Sequence, residues 1–239
     1  MNIKFGNDQI GGSPIEFKVV ENLGYRRDYN QIVENQQPTL QFGSKGNADG
    51  QFSNPFCVAT NSQGEILVCD CSNHRIQIFN RQGQFLKKFG TQGNQNGQLS
   101  SPTGVSIDSR NEQIIVADQS NNRVQIFDSQ GNFIRVFGSS GNGDGQFNGP
   151  RAAVVDSNGN YFVTDLSNNR IQMFDSNGRF IRKFGTPGNG NGQLNSPWGI
   201  GILSNGNIVV SEHSNNRISI FDSQGNFIKI IGAGQILNP

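Results

Sequence analysis

A unit of about 47 residues recurs along this chain, and no other feature restricts its fold as strongly. The dipeptide Phe-Gly falls at Phe42-Gly43, Phe89-Gly90, Phe137-Gly138 and Phe184-Gly185, with Ile231-Gly232 in fifth place; the steps are 47, 48, 47 and 47 residues. A loop rich in Gly, Asn and Gln follows each dipeptide and ends in proline, at Pro55, Pro102, Pro150, Pro197 and, after a shortened loop, Pro239. Such a period marks an architecture in which each unit stacks on the next, because one unit alone cannot bury its apolar face.

Each unit reads as four short strands. Small and β-branched residues follow the proline ("TGVSID"), then come a turn, an apolar run ("QIIVAD"), "SNNR" leading into an alternating segment ("RVQIF"), a second turn ("DSQGN") and a last strand ("FIRVFG"). The Asn, Asp and Gly between them supply turn chemistry. Phe79, Phe127, Phe174 and Phe221 occupy one register position, and Phe85, Phe133, Phe180 and Phe227 another. A large apolar side chain at a fixed place in every unit packs one sheet on its neighbour. Four strands per unit of this length is the blade of a β-propeller, so the expected class is all-β.

Composition agrees with a packed chain. Hydrophobic residues are 33% and Gly adds 31 residues, about the apolar share of an ordinary globular protein. The net charge of +1 argues against a strongly basic nucleic-acid binder. No apolar run approaches a membrane span and no signal-type segment is visible. Three cysteines, Cys57, Cys69 and Cys71, and the lack of any Asn-X-Ser/Thr acceptor suit a reducing, cytoplasmic compartment.

The units resemble NHL repeats. The naming triplet of that family appears as Asn73-His74-Arg75 and then as Asn121-Asn122-Arg123, Asn168-Asn169-Arg170 and Asn215-Asn216-Arg217, each preceded by an acid: Asp70, Asp118, Asp165 or Glu212. An acid and an arginine that return in every unit read as structural pairing at strand ends. Residues 1–20 ("IKFGNDQIGGSPIEFKVV") resemble the end of a filamin-type immunoglobulin domain, with Gly12-Ser13-Pro14 as a turn and Ile15 to Val20 as the last strand. Residues 21–37 read as a linker, and 38–239 as a partial propeller. This order resembles a branch of the tripartite-motif (TRIM) proteins. The resemblance implies a ubiquitin-ligase context, although no RING lies in this sequence. It also implies six blades. Four complete blades plus one lone outer strand, Pro38 to Gly43, are expected here, so the ring is expected to be incomplete and the chain truncated at both ends. The other option is a smaller ring in which residues 1–37 fill the gap.

In a propeller, the long Gly-rich loops and the loops joining second and third strands share one rim, and loops on a rigid scaffold carry recognition. After each proline stand Phe56, Thr103, Arg151 and Trp198; after each acid stand Cys71, Gln119, Leu166 and His213. These eight differ where a framework role would favour likeness, so they are the candidate partner-binding residues. Trp198 reads equally as an interface anchor or as a plug of the channel mouth. The eight hold a single Arg, and Lys45 on the first long loop could add a second cation. A protein or peptide is therefore the expected partner, with an RNA hairpin, implied by some TRIM relatives, as the alternative. No small-molecule substrate, membrane partner, cofactor or catalytic residue is expected. With two histidines, His74 and His213, the chain lacks the three-His set of metal-dependent NHL-like lyases. Cys57 and Cys69 align with Gly, Ala, Thr or Ser in other units and read as small apolar residues rather than zinc ligands.

Overall fold

The computed structural model describes residues 40–232, together with the backbone of Asn2–Ile3 and Phe17–Lys18. Four four-stranded antiparallel sheets, each in sequence order, carry the repeats. Blade 1 consists of Pro55–Thr60, Ile66–Asp70, Arg75–Phe79 and Phe85–Phe89. Blade 2 consists of Pro102–Asp108, Gln113–Asp118, Arg123–Phe127 and Phe133–Phe137. Pro150–Val155, Tyr161–Asp165, Arg170–Phe174 and Phe180–Phe184 form blade 3. Pro197–Ile202, Ile208–Glu212, Arg217–Phe221 and Phe227–Ile231 form blade 4. The first strands of consecutive blades pack on one another and so lie innermost.

The apolar pattern explains the stacking. Second and third strands are covered on both sides, which is why they read as near-continuous apolar runs; fourth strands alternate between covered and exposed residues. Three apolar cores lie between blades. Leu67 and Ile78 of blade 1 meet Val116 and Phe127; Ile126 and Phe137 of blade 2 meet Val163 and Phe174; Phe162 and Met173 of blade 3 meet Val210 and Phe221. A fourth cluster, Phe52, Ile66, Val68 and Phe79 with Phe42, covers the other face of blade 1.

The Gly-rich loops are locally folded and are more than connections. Ser44–Lys45 pairs in parallel with Gln51–Phe52, and Ser139–Ser140 with Gln146–Phe147; the equivalent loops hold single bridges, Gln92 to Leu99 and Pro187 to Leu194. Each folds around one buried apolar residue: Phe52, Leu99, Phe147 or Leu194. The glycine after each core Phe makes room for this. Gly138 sits at φ +92°, and a Cβ there would lie 2.3 Å from the Phe147 ring.

One expectation needs correction. Leu40–Gly43 form no strand, because among the described residues no neighbouring strand pairs with them. Phe42 instead folds onto blade 1, its ring 4.9 Å from that of Phe79. Near the N-terminus, Asn2 and Ile3 pair antiparallel with Lys18 and Phe17. The Gly12-Ser13-Pro14 turn, the rest of the expected filamin-type segment, the linker and Pro239 lie outside the described residues. Among the described residues no helix is long and apolar enough to cross a membrane.

The tight outer turns are held by aspartates. Asp128 Oδ1 accepts from the backbone N–H of Gln130 and Asn132, and Asp222 repeats the arrangement with Gln224 and Asn226. The hydrogen bonds from Asn132 and Asn226 hold these carboxyls below the usual range, the backbone N–H of Arg179 does so for Asp175, and the Arg110 guanidinium does so for Asp108. A folded pKa below the unfolded one gives stability that is complete above about pH 4 and is lost as pH falls through the folded values. Thermal melts from pH 7 to pH 2.5 should therefore show a plateau down to about pH 5 and a falling limb below about pH 4. Replacing Asp108 by Asn should make that limb shallower; an identical limb would remove Asp108 from the explanation.

Candidate interaction rim

At one end of each blade, the acid, the triplet and the long loop form a single network. In blade 1 the Asp70 carboxylate accepts from Ser53 N (2.7 Å), Asn73 Nδ2 (2.9 Å), Arg75 Nε (2.7 Å) and Gln77 Nε2 (3.0 Å). Arg75 Nη2 then donates to the carbonyls of Ala48 and Gln51 in the long loop. Asp118 with Arg123, Asp165 with Arg170 and Glu212 with Arg217 repeat the pairing at 2.7, 2.7 and 2.8 Å. These pairs are structural, as the recurrence suggests. All four carboxylates are buried, so they are not surface pairs: they tie the loop rim to the sheet.

The middle residue of the triplet has a role that sequence reading missed. His74, Asn122, Asn169 and Asn216 adopt left-handed backbone conformations, φ 50–55°. This region tolerates Asn better than most residues. The side chain is thereby aimed at the next blade: His74 Nδ1 accepts from Ser101 N (3.0 Å), Asn122 Oδ1 from Gly149 N (2.8 Å) and Asn169 Oδ1 from Ser196 N (2.8 Å). His74 is thus an inter-blade clip. The signal was present in the sequence, since Asn occupies this position in three units of four.

Backbone hydrogen bonds place the two classes of loop together. Cys71 N donates to Asn54 O, Ser120 N to Ser100 O and His213 N to Ser196 O. The loops after the second strands therefore lie beside the ends of the long loops, as expected for a shared rim. Inner strands converge at the axis, where side chains from blades that are distant in sequence meet. Gly104 permits the close approach of blades 2 and 3: a Cβ there would lie 2.7 Å from Arg151 O. Thr103 Oγ1 donates to that same carbonyl at 3.0 Å.

Arg151 is the centre of the meeting point. Its guanidinium carbon lies 3.5 Å from the centre of the Trp198 ring and 4.1 Å from that of Phe56. The two rings are 5.8 Å apart, and His213 stacks on Trp198 at 5.0 Å and 24°. An open cleft of ≈ 280 Å³ runs beside them, lined by Trp198, Ser211, Glu212, His213 and Asn216. Burial pushes the Cys71 thiol up, against the lowering effect of the Arg151 charge. Burial pulls the Arg151 guanidinium down to about 10, which leaves it charged at neutral pH. Of the eight candidate residues, Phe56, Arg151, Trp198 and His213 form one cluster, with Thr103 against Arg151. Leu166 N donates to Gly149 O, and Gln119 lies beside the same Gly149. Thr103, Cys71 and Arg151 are almost wholly covered; His213 is exposed. Among the described residues no group of three His, Cys, Asp or Glu is placed to hold a metal ion.

Comparison with known proteins matches the repeats to a family model. The model of the NHL repeat matches four times, at residues 52–79, 99–127, 147–174 and 194–221. The chain is 34% identical over 88 residues to protein lin-41 of Caenorhabditis elegans, covering 37% of this chain and 7% of that protein. It is 42% identical over 88 residues to E3 ubiquitin-protein ligase TRIM71 of Gallus gallus, covering 37% and 9%. In each case the match spans under a tenth of the relative's length. Among solved structures, virginiamycin B lyase from Staphylococcus aureus superposes with a TM-score of 0.58 at 20% identity, over 77% of this chain and 56% of that one. At that identity the likeness concerns the fold alone.

Proposed function

We propose that this chain, which carries four NHL repeats, is a non-catalytic interaction module that captures a protein or peptide partner at the axis end of the propeller. The observation that carries this reading is the convergence of Phe56, Arg151, Trp198 and His213 from three blades. Aromatic and Arg side chains in partly desolvated settings are the usual anchors of protein interfaces. Similarity to TRIM71, whose name identifies an E3 ubiquitin-protein ligase, motivates the further proposal that the captured partner is presented for ubiquitination. A reducing, cytoplasmic setting suits its three free thiols.

Charge favours this reading over RNA. Binding a phosphate backbone calls for several exposed Lys or Arg. Residues 42–239 carry fifteen Lys and Arg against thirteen Asp and Glu. Four of the arginines, Arg75, Arg123, Arg170 and Arg217, are committed to buried pairs. A double substitution, Trp198→Ala with Arg151→Ala, should weaken partner binding at least tenfold in a pull-down or interferometry assay; undiminished binding would move the site elsewhere. Titration with hairpin RNA separates the alternatives: tight binding whose affinity falls steeply with salt would favour RNA and count against the protein reading.

A further inference from the structure

We propose that Arg151 forms an anion site at the axis mouth, and that the group it takes is a carboxylate of the protein partner, an Asp or Glu side chain flanked by apolar residues. The inference rests on the rim reading above and specifies its chemistry.

Arg151 lacks the polar partners that the other buried arginines have. It is 9% exposed, yet among the described residues its side chain makes no hydrogen bond or ion pair, and its Nε is buried without an acceptor. The other buried arginines are satisfied, and Arg135, which is half-buried and shares an Nε without an acceptor, donates through Nη2 to the Tyr161 hydroxyl. Arg75, Arg170 and Arg217, 6–7% exposed, each bind a carboxylate and two or more carbonyls. A buried, unpaired cation costs free energy that the fold recovers only when an acceptor arrives.

The cation is nevertheless held in place. Trp198 and Phe56 press on it at 3.5 and 4.1 Å. A ring against one face of a guanidinium leaves donors in the guanidinium plane that can engage a planar carboxylate through two parallel hydrogen bonds. Fixing the fork in advance also lowers the ordering cost of binding.

The surroundings set the class of anion. The other residues at this point are Phe56, Trp198, Thr103 and His213, and the one carboxylate that lines the open cleft alongside, Glu212, is already paired with Arg217. A single buried cation in an apolar, aromatic setting matches one charge on an otherwise apolar peptide. A phosphate backbone would ask for a row of exposed cations instead.

The test uses the 239-residue chain labelled with ¹⁵N. Its one tryptophan makes fluorescence specific to Trp198, and the Nε–H resonance reports on Arg151 itself. The probes are a blocked Leu-Glu-Leu tripeptide, its Leu-Gln-Leu counterpart, inorganic phosphate and a hairpin RNA. The glutamyl peptide should shift the Arg151 Nε–H signal and change Trp198 emission, and the glutaminyl peptide should bind at least tenfold more weakly. Arg151→Met should abolish the difference between the two peptides. Arg151→Lys keeps the charge but loses the planar fork, should reduce the preference at least fivefold, and decides the matter if the Met variant fails to fold. Equal binding of the two peptides would overturn the proposal. Stronger binding of phosphate or RNA at the same resonance would also overturn it. A natural partner that contacts the rim yet ignores Arg151→Lys would retire the anion site alone and leave the rim as the contact surface.

Discussion

Replacing Asp165 by alanine should cost about 3–5 kcal/mol of folding stability, the loss expected when one member of a buried ion pair is removed. Asp165 is fully buried and accepts from Asn148 N (2.8 Å), Asn168 Nδ2 (2.9 Å), Arg170 Nε (2.7 Å) and Gln172 Nε2 (3.1 Å). Its loss strands Arg170 and Gln172, which are 6% and 0% exposed, without their shared acceptor. The damage also spreads to the rim, because Arg170 holds the carbonyls of Asn142, Gly143 and Gln146 in the long loop. An internal control is available. Asp144 pairs with Lys183 at 2.7 Å, but both are about half exposed. Asp144→Ala should therefore cost no more than about 1 kcal/mol. Urea denaturation of both variants checks the contrast; equal midpoints would mean that the triplet network adds no more than a surface pair.

Phe174→Ala is expected to cost a similar amount, about 3–5 kcal/mol, for a different reason. Its ring is 1% exposed and lies 4.8 Å from Phe137, 5.4 Å from Phe147 and 6.0 Å from Phe180. Those partners come from blade 2, from the long loop and from its own blade. Truncation opens a cavity at a junction that three segments share, and close-packed neighbours relax only partly into it. Phe180→Ala, at a half-covered position, should cost clearly less. Because a domain of this kind is stable by only about 5–15 kcal/mol, either buried substitution removes a large share of the total. The Phe174 variant should also lower the cooperativity of unfolding, since blades are coupled mainly through their interfaces. Calorimetry would show this as a broader transition; a sharp transition at an unchanged temperature would contradict the packing account.

The blades were legible in the sequence for a physical reason. Each unit must present apolar residues on both faces of its middle strands, so the Ile, Val and Phe pattern recurs at every step. The turns were legible because Asp, Asn and Gly carry local chemistry that needs no tertiary context. Contacts made by polar side chains across blades were not. His74 looks like an isolated histidine until its left-handed backbone and the N–H of Ser101 are seen together. The local fold of the Gly-rich loops was hidden because their one buried residue, such as Phe147, is a single apolar letter among polar ones. The Leu40–Gly43 segment misled because its composition suits a strand while a ladder needs a neighbour. At the rim, the sequence singled out eight candidate residues without showing how they are arranged. Phe56, Arg151 and Trp198 are far apart in the chain, and only the curvature of the stacked blades brings them to one point.

Site-specific photo-cross-linking tests the central claim most directly. A benzoylphenylalanine would be placed at His213, the exposed member of the axis cluster, and separately at Gln130 in an outer hairpin turn. Recognition confined to the axis end predicts a covalent adduct with the partner from position 213 and none from position 130. Adducts from position 130 alone, or equal yields from both, would contradict it.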